Sequence, residues 1–322
     1  MERRAGGGRT RNTPWRWGQH LAIAAAYGAC YEIAHHLSFP QWMLTSGLRL
    51  AALLLLPTRY WPALVLGEGL PLLETAALNV ADLGIPWAMS ASVPMAALWL
   101  AVLKPLRARW SLYDERGDLR MPLILAAALG TAVVTSVATL LTALSAILQS
   151  PTGAWPDPAT GPMGYFLAYV LGAYLGALTL TPTILALRER FRRLPGHSLS
   201  LNTVWRSPLF RDAMAWLVPT LSLLAWVAST APAASPLHET ASFALVLPVL
   251  GMGWRHGWHG TAIGGMAASI ALAIVASVVS PGLLAEAGTL RVEAVLALVI
   301  SGSLLISHAR ARAPVAASAR RI

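Results

Sequence analysis

Charged residues are scarce in this sequence. They make up 12% of its 322 residues, whereas 56% of the residues are hydrophobic. An ordinary soluble domain carries about 25% charged residues, so this composition excludes a soluble globular protein. Each membrane-spanning helix needs about 20 apolar residues, and long apolar runs recur along the whole chain. The composition therefore predicts an all-α, polytopic transmembrane helical bundle.

Cysteine is almost absent. Cys30 is the single cysteine, which excludes an internal disulfide framework and any multi-cysteine metal site. His256 and His259 lie three residues apart with no acidic or cysteine neighbour in sequence, which is a poor pattern for a metal site. Gly-x-Ser-x-Gly and His-Glu-x-x-His patterns are missing as well. We therefore expect no enzyme activity, no catalytic residue, no cofactor and no metal.

Ten apolar runs, each bounded by charge or by Pro and Gly, predict about ten spans (eight to ten). The runs lie near 18–37, 41–57, 61–80, 85–103, 120–148, 162–187, 211–230, 240–254, 258–280 and 290–308. We expect a basic N-terminal segment at 1–17, a transmembrane domain at 18–308 and a basic tail at 309–322.

Basic residues are concentrated in alternate connections. If the amino terminus is cytoplasmic, all but two of the 24 basic residues fall in cytoplasmic segments, as the positive-inside rule requires. The exceptions are Arg49, within a span, and Arg291. The sequence therefore predicts two cytoplasmic termini and a multi-pass protein of the bacterial cytoplasmic (inner) membrane. The net charge of +10 is then a topology signal that favours contact with the lipid bilayer, and we expect no nucleic-acid partner.

Three stretches, taken together, resemble the MASE1 integral membrane sensor domain of bacteria. They are FPQWMLTSGLRLAALLLLPTRYWPALVLGEGLPLLETA at 39–77, GAYLGALTLTPTILALRER at 172–190 and FALVLPVLGMGWRHGWHGTAIGGMAA at 243–268. The first is similar to the family's tryptophan-led helix and Arg-Tyr-Trp-Pro turn. The second resembles its Leu-Thr-Pro helix end, and the third its Arg-x-Gly turn.

This resemblance implies a membrane-embedded sensory domain that responds to an unknown small ligand. Most members of the family carry a fused kinase or cyclase behind the last helix, but only 309–322 follow the predicted last span here. We therefore expect the signal to pass to a separate partner, namely a kinase, a cyclase or a transporter, or to a second copy of the chain. The alternative is a small-solute transporter or channel, which uptake into proteoliposomes would reveal.

Arg49 is the most informative single residue. A charge at the bilayer centre costs about 2.5–3.5 kcal/mol, so such a residue normally faces a partner inside the bundle. Counted from the predicted outer ends of the helices, Arg49 lies roughly 13 Å deep, Glu74 roughly 9 Å and Glu68 roughly 18 Å. Helices 41–57 and 61–80 should pack as an antiparallel hairpin, and Glu74 is the better-matched partner.

Two interpretations of this charged cluster stay open. It either lines an outward-facing cavity that binds a ligand or responds to protonation, or it is a structural ion pair that holds the hairpin together. The ligand or gating candidates are Glu32, His35, His36, Arg49, Glu68 and Glu74.

Small residues and prolines give the remaining candidates. Spacing of four places Gly172 with Gly176, and Gly260 with Gly264, on single helix faces where backbones approach closely. Pro182 and Pro248 are candidate hinges. The basic connection at 188–210 is the candidate docking surface for a partner, although a plain positive-inside loop is the favoured interpretation of its charge.

Overall fold

A computed structural model describes residues 13–39, 42–115, 117–150, 161–193, 205, 207–232, 235–279 and 287–319. Regular structure in these ranges is helical and mostly α-helical, as the composition predicts. The extended pairings there are two isolated bridges, Phe39 with Trp42 and Tyr113 with Leu119. Residues 194–204 and 206 of the predicted docking connection lie outside the described residues.

The helices are numbered in chain order. They are α1 (Thr13–His36), α2 (Leu44–Leu55), α3 (Trp61–Leu83), α4 (Ile85–Ala91), α5 (Met95–Arg109), α6 (Met121–Ile147), α7 (Gly161–Arg193), α8 (Pro208–Thr230), α9 (Pro236–Ala244), α10 (Val246–Val279) and α11 (Ala287–Ala319). Proline occupies one of the first two positions of α3, α4, α6, α8 and α9. Its missing N–H removes no intrahelical hydrogen bond at that place, so these prolines start helices rather than break them. A π-helical turn at Ala213–Leu217 interrupts α8.

The run expected at 85–103 is broken rather than continuous. Helices α4 and α5 meet at a bend of 42° across residues 92–94. Pro94 directly precedes α5 and adopts an extended backbone conformation, and proline interrupts a helix because it lacks the N–H and crowds the preceding turn. The break leaves the first N–H groups of α5 without helical partners.

The chain reverses within α10 at Gly257. This residue has φ +63° and ψ −148°, a conformation that residues with a Cβ rarely adopt. Gly264 lies against Val249 and Met252, and Gly253 lies against Thr261. The arms 246–256 and 258–279 are therefore antiparallel. The non-helical residue of α10 is Gly257 and not the candidate hinge Pro248.

Six helices are long and apolar enough to cross a membrane, or seven if the bent pair α4–α5 counts as one span. The expected ten spans are not confirmed. One reason is α2, which has 12 residues and is therefore about 18 Å long, whereas the hydrocarbon core is about 30 Å thick. Another is that one of the six, Pro236–Ala276, contains the reversal at Gly257.

Side-chain contacts bring the basic connections to one end of the bundle. We call this the arginine-rich end and define it by Arg59, Arg107, Arg188, Arg255 and Arg310. The carbonyl oxygen of Arg59 lies 3.0 Å from the His20 ring of α1, Arg188 donates to the Tyr113 hydroxyl at 3.2 Å, and the Arg255 guanidinium lies 3.3 Å from Asp212 of α8. The guanidinium of Arg310 lies 4.6 Å from the ring centroid of Trp254. These contacts place the described parts of the basic connections at the same end.

The buried side chains form two main clusters. The N-terminal cluster contains Leu50, Leu64 and Trp99 among others, and the C-terminal cluster contains Leu245 and Leu296 among others. Helices α2 and α7 contribute to both clusters, so they join the two halves of the bundle.

Candidate functional site

Arg49 of α2 and Glu68 of α3 form a buried, bidentate ion pair. The Arg49 Nε donates to Oε2 of Glu68 at 2.9 Å, and its Nη2 donates to Oε1 at 2.7 Å. The two residues are 3% and 0% exposed. Two parallel N–H···O bonds are the strongest geometry for a guanidinium and a carboxylate. The predicted preference for Glu74 is wrong, because Glu74 is exposed.

The length of α2 explains the wrong choice of partner. The depth argument assumed that both helices begin at the same outer surface, but α2 begins at Leu44 and α3 continues to Leu83. Counted from the turn that joins the two helices, Arg49 lies six residues before the end of α2 and Glu68 seven residues after the start of α3. The two side chains are therefore level.

The prediction that α2 and α3 pack against each other as a hairpin is also wrong. Helix α2 packs mainly against α7, and α3 packs mainly against α1. Along α1 and α3, Gly67 lies against the backbone of Ala24, and Gly28 lies against Gly67. The ion pair thus bridges two helices that otherwise touch little.

Glu68 also caps the broken helix. The backbone N–H groups of Met95 and Ala96, at the start of α5, donate to its two carboxylate oxygens at 3.0 and 3.3 Å. The Tyr27 hydroxyl of α1 donates to Oε2 at 3.4 Å. An unpaired N–H costs several kcal/mol in a bilayer, and a helix N-terminus favours negative charge. The carboxylate therefore satisfies the backbone groups that the Pro94 break exposes.

Two aromatic rings enclose the Arg49 guanidinium. Its central carbon lies 4.7 Å from the ring centroid of Trp99 and 5.9 Å from that of Tyr31. The Trp99 indole N–H donates to the Thr135 hydroxyl of α6 at 3.0 Å. A cation over a tryptophan face gains up to about 2 kcal/mol when water is excluded. The buried charge cluster, defined as Tyr27, Arg49, Glu68, Trp99 and the α5 N-terminus, thus joins four helices, and the bond from Trp99 to Thr135 adds α6.

The C-terminal end of α2 is bound by an arginine of the arginine-rich end. The Arg107 guanidinium of α5 donates to the carbonyl oxygens of Leu53 and Leu56 at 2.7 and 2.9 Å. These are orphan carbonyls at the C-terminus of α2, where a cation is favoured. Helices α2 and α5 are therefore connected at two levels, through the Glu68 carboxylate at the middle of α2 and through Arg107 at its C-terminal end.

Glycine allows α2 to approach α7 at backbone distance. A Cβ on Gly47 would collide with the carbonyl oxygen of Gly176, and a Cβ on Gly176 with that of Met43. The Met43 N–H donates to the Gly172 carbonyl oxygen at 3.1 Å, and the Thr181 hydroxyl donates to that of Gly47 at 2.9 Å. Small residues permit such contacts where lipid offers no hydrophobic drive for association.

A comparison with known protein families matches the part of the chain that contains this site. The model of the MASE1 family matches residues 19–307, a range that contains the buried charge cluster and the reversal at Gly257. The chain belongs to the MASE1 family. MASE1 is a family of membrane-associated sensor domains. The long apolar helices of the structure agree with the membrane association. Searches of curated proteins and of solved structures return no match.

The other polar candidates of this MASE1 domain do not join the cluster. Glu32 and His36 pair with each other on the surface of α1 at 3.4 Å, and the His35 ring stacks on Tyr31 at 6.1 Å. All three are exposed, as is Glu74. Of the two interpretations of the cluster, the outward-facing cavity around Arg49 is contradicted, because the ion pair is enclosed by protein.

The remaining candidates of the MASE1 domain lie in helix contacts. Gly260 lies against Met252 across the reversal, as Gly264 does. Pro182 is buried inside the continuous helix α7, and its role as a hinge stays a prediction.

The two histidines of the turn at Gly257 have acidic neighbours that are distant in sequence. His256 lies 2.8 Å from Asp212, and His259 lies 3.6 Å from Glu189. Among the described residues no group of three or more His, Cys, Asp and Glu side chains could hold a metal ion.

Sequence reasoning missed the residues that complete the site. Trp99 and Tyr27 belong to the cluster, and Pro94 creates the N-terminus that Glu68 caps. A proline in the middle of a predicted span was the available signal for the break. Nothing in the apolar stretch around Trp99 distinguishes a cluster residue from an ordinary core tryptophan.

Proposed function

We propose that this MASE1 domain passes a conformational signal from the bundle to a separate protein that docks at the arginine-rich end, with that end facing the bacterial cytoplasm. The proposal rests on the double connection between α2 and α5. Any displacement of Glu68 must move the start of α5 or the middle of α2, because it binds both. The same two helices meet again at Arg107, so the displacement reaches the arginine-rich end. The domain works without enzymatic chemistry of its own.

A groove at that end offers a surface for a partner. It has a volume of about 310 Å³ and is lined by Tyr113, Gly117, Leu119, Leu185, Arg188, Glu189 and Arg192. Leu185 of α7 also belongs to the N-terminal cluster, together with Leu103 of α5. The groove therefore adjoins the helices that the buried charge cluster connects. A partner with acidic side chains fits its exposed arginines.

The test is a matched pair of arginine substitutions at the same end. Arg107→Ala removes the cap on α2, whereas Arg59→Ala removes an arginine that stacks on Tyr60 and leaves that cap in place. A photo-crosslinker at Arg192 would trap the docked protein in native membranes, with one at the exposed Leu78 as the control position. We expect a defined kinase, cyclase or transporter at position 192 alone, and we expect Arg107→Ala, but not Arg59→Ala, to change its output.

Two outcomes would contradict this function. Equal output of the partner in both arginine variants would show that the signal does not pass through Arg107. Concentrative uptake of a labelled solute by the purified chain in proteoliposomes, without any crosslinked partner, would make the chain a transporter. A reporter fused after Ile322 tests the orientation, and activity of that reporter outside the cytoplasm would reverse it.

A further inference from the structure

A second buried carboxylate lies in the C-terminal half of the bundle. Glu293, in the second turn of α11, is 0% exposed. Its neighbours in sequence on the buried face, Val292, Leu296 and Ala297, belong to the C-terminal cluster. Neither carboxylate oxygen of Glu293 has a hydrogen-bond partner among the described residues.

Charged groups on the helices around α11 do not compensate Glu293. Helix α11 packs against α10, α7, α9 and α6. Helix α6 and the second arm of α10 beyond His259 contain no ionisable side chain. On α9, the His238 ring lies 2.8 Å from the carbonyl oxygen of Ala228, and Glu239 is exposed.

The other ionisable groups of α7 and α11 are engaged or lie elsewhere. On α7, Tyr165 and Tyr169 lie 3.5 Å apart at their hydroxyls, and Tyr174 contacts Ser301 at 3.0 Å. The charged residues of α7 lie at its C-terminal end, near the arginine-rich end. On α11 itself, Arg291 is exposed, and His308 and Arg310 lie four turns away.

Two buried hydroxyls without partners lie near the level of Glu293. Ile300 packs against Gly265 of α10, and the helices are antiparallel, so Glu293 lies at about the level of residue 272. Ser269 is roughly 4.5 Å from that level along the axis. Ser242 of α9 follows Ala241, which belongs to the same small buried cluster as Val275. Val275 is as near to that level as Ser269 is. Neither hydroxyl oxygen has a hydrogen-bond partner within the described part of the chain.

An ionised carboxylate in such a place would be buried without a counter-charge. The cost of that arrangement is far greater than the cost of a neutral carboxylic acid, so the group takes up a proton instead. We propose that Glu293 is a proton-binding site, neutral in this conformation, which releases its proton only when the helices around it separate and admit water. The proposal does not depend on the sensory role of the chain.

Infrared spectroscopy of the purified chain in lipid tests this directly. The difference between the wild type and Glu293→Gln should contain the carbonyl band of a carboxylic acid, and the band should shift when H₂O is replaced by D₂O. Glu68→Gln is the matched control, because Glu68 is equally buried but paired with Arg49. Its difference spectrum should contain carboxylate bands only. Should that variant fail to fold, Glu74→Gln serves as the control for an exposed carboxylate.

The outcomes separate the alternatives. A difference spectrum for Glu293→Gln with carboxylate bands alone at neutral pH would overturn the proposal. A carboxylic acid band that disappears as the pH rises would support it. Loss of that band on replacing choline by Na⁺ at constant pH would also overturn it, because the ligand would then be a metal cation.

Discussion

The two halves of the bundle bury the same side chain in opposite ways. Glu68 in the N-terminal half is bound by a guanidinium, two backbone N–H groups and a tyrosine hydroxyl. Glu293 in the C-terminal half has no partner within the described residues. Both are 0% exposed, so burial alone does not define the state of a carboxyl group. The donors around it decide whether it remains charged.

The comparison also separates two roles. A carboxylate with four donors on three neighbouring helices fixes the positions of those helices. A carboxyl group with no partner fixes nothing around it, but it responds to whatever reaches it. The first arrangement is suited to holding and transmitting a position, and the second to detecting a change.

The largest expected effect comes from removing the carboxylate of Glu68. Glu68→Leu leaves the Arg49 charge buried and the first two N–H groups of α5 unpaired, so we expect a loss of about 3–5 kcal/mol in the free energy of unfolding. Unfolding by SDS titration in mixed micelles measures it. Glu74→Leu is the control, and we expect it to leave the transition where it is. A wild-type transition for Glu68→Leu would mean that the ion pair contributes nothing.

The next effect comes from making the same substitution in both halves. Glu68→Gln removes the charge that binds Arg49 and should cost about 2–3 kcal/mol, the value of hydrogen bonds to charged groups. Glu293→Gln replaces one neutral group by another of similar shape and should cost less than about 1 kcal/mol. The same SDS titration compares them. Equal losses in the free energy of unfolding would contradict the view that Glu68 is charged and Glu293 neutral.

A smaller effect tests the contact between α2 and α7, which both clusters share. Gly176→Ala places a methyl group against the Met43 carbonyl oxygen and should cost about 1–3 kcal/mol, because overpacking forces the backbones apart. The control is Gly302→Ala in α11, where no atom lies within 4 Å of the new Cβ; better helix propensity makes it neutral or slightly stabilising. Thermal unfolding in detergent compares the two variants. A larger loss for Gly302→Ala than for Gly176→Ala would contradict the importance of the contact between α2 and α7.

The smallest effect concerns Trp99. Trp99→Phe keeps an aromatic ring near Arg49 but removes the N–H donor to Thr135, so we expect a loss of about 1 kcal/mol. Trp226→Phe, at a tryptophan of α8 that is 64% exposed, should change nothing measurable. Both are followed by thermal unfolding in detergent. A stronger effect at Trp226 would contradict the assignment of the cluster as the more tightly bonded region.

The sequence predicted most of the helices because hydrophobic runs and their borders depend on local composition. Arg49 was identified for the same reason, since a charge within an apolar run is conspicuous. Its partner was not, because the depth argument took both helices to begin at the same outer surface, whereas α2 begins at Leu44 and α3 continues to Leu83. Glu293 was passed over because it lies two residues from Arg291, near the predicted border of a span, where a glutamate is ordinary.

The bend between α4 and α5 has a consequence for how such chains diverge. Pro94 generates the unpaired N–H groups, and Glu68 on another helix is the acceptor that makes them tolerable in hydrocarbon. In a relative whose segment 85–109 forms one straight helix, these N–H groups would bond within the helix and would not need the carboxylate. A relative that lost the glutamate would have to form the straight helix first. We therefore expect positions 68 and 94 to change together among relatives, although 26 residues separate them in the chain.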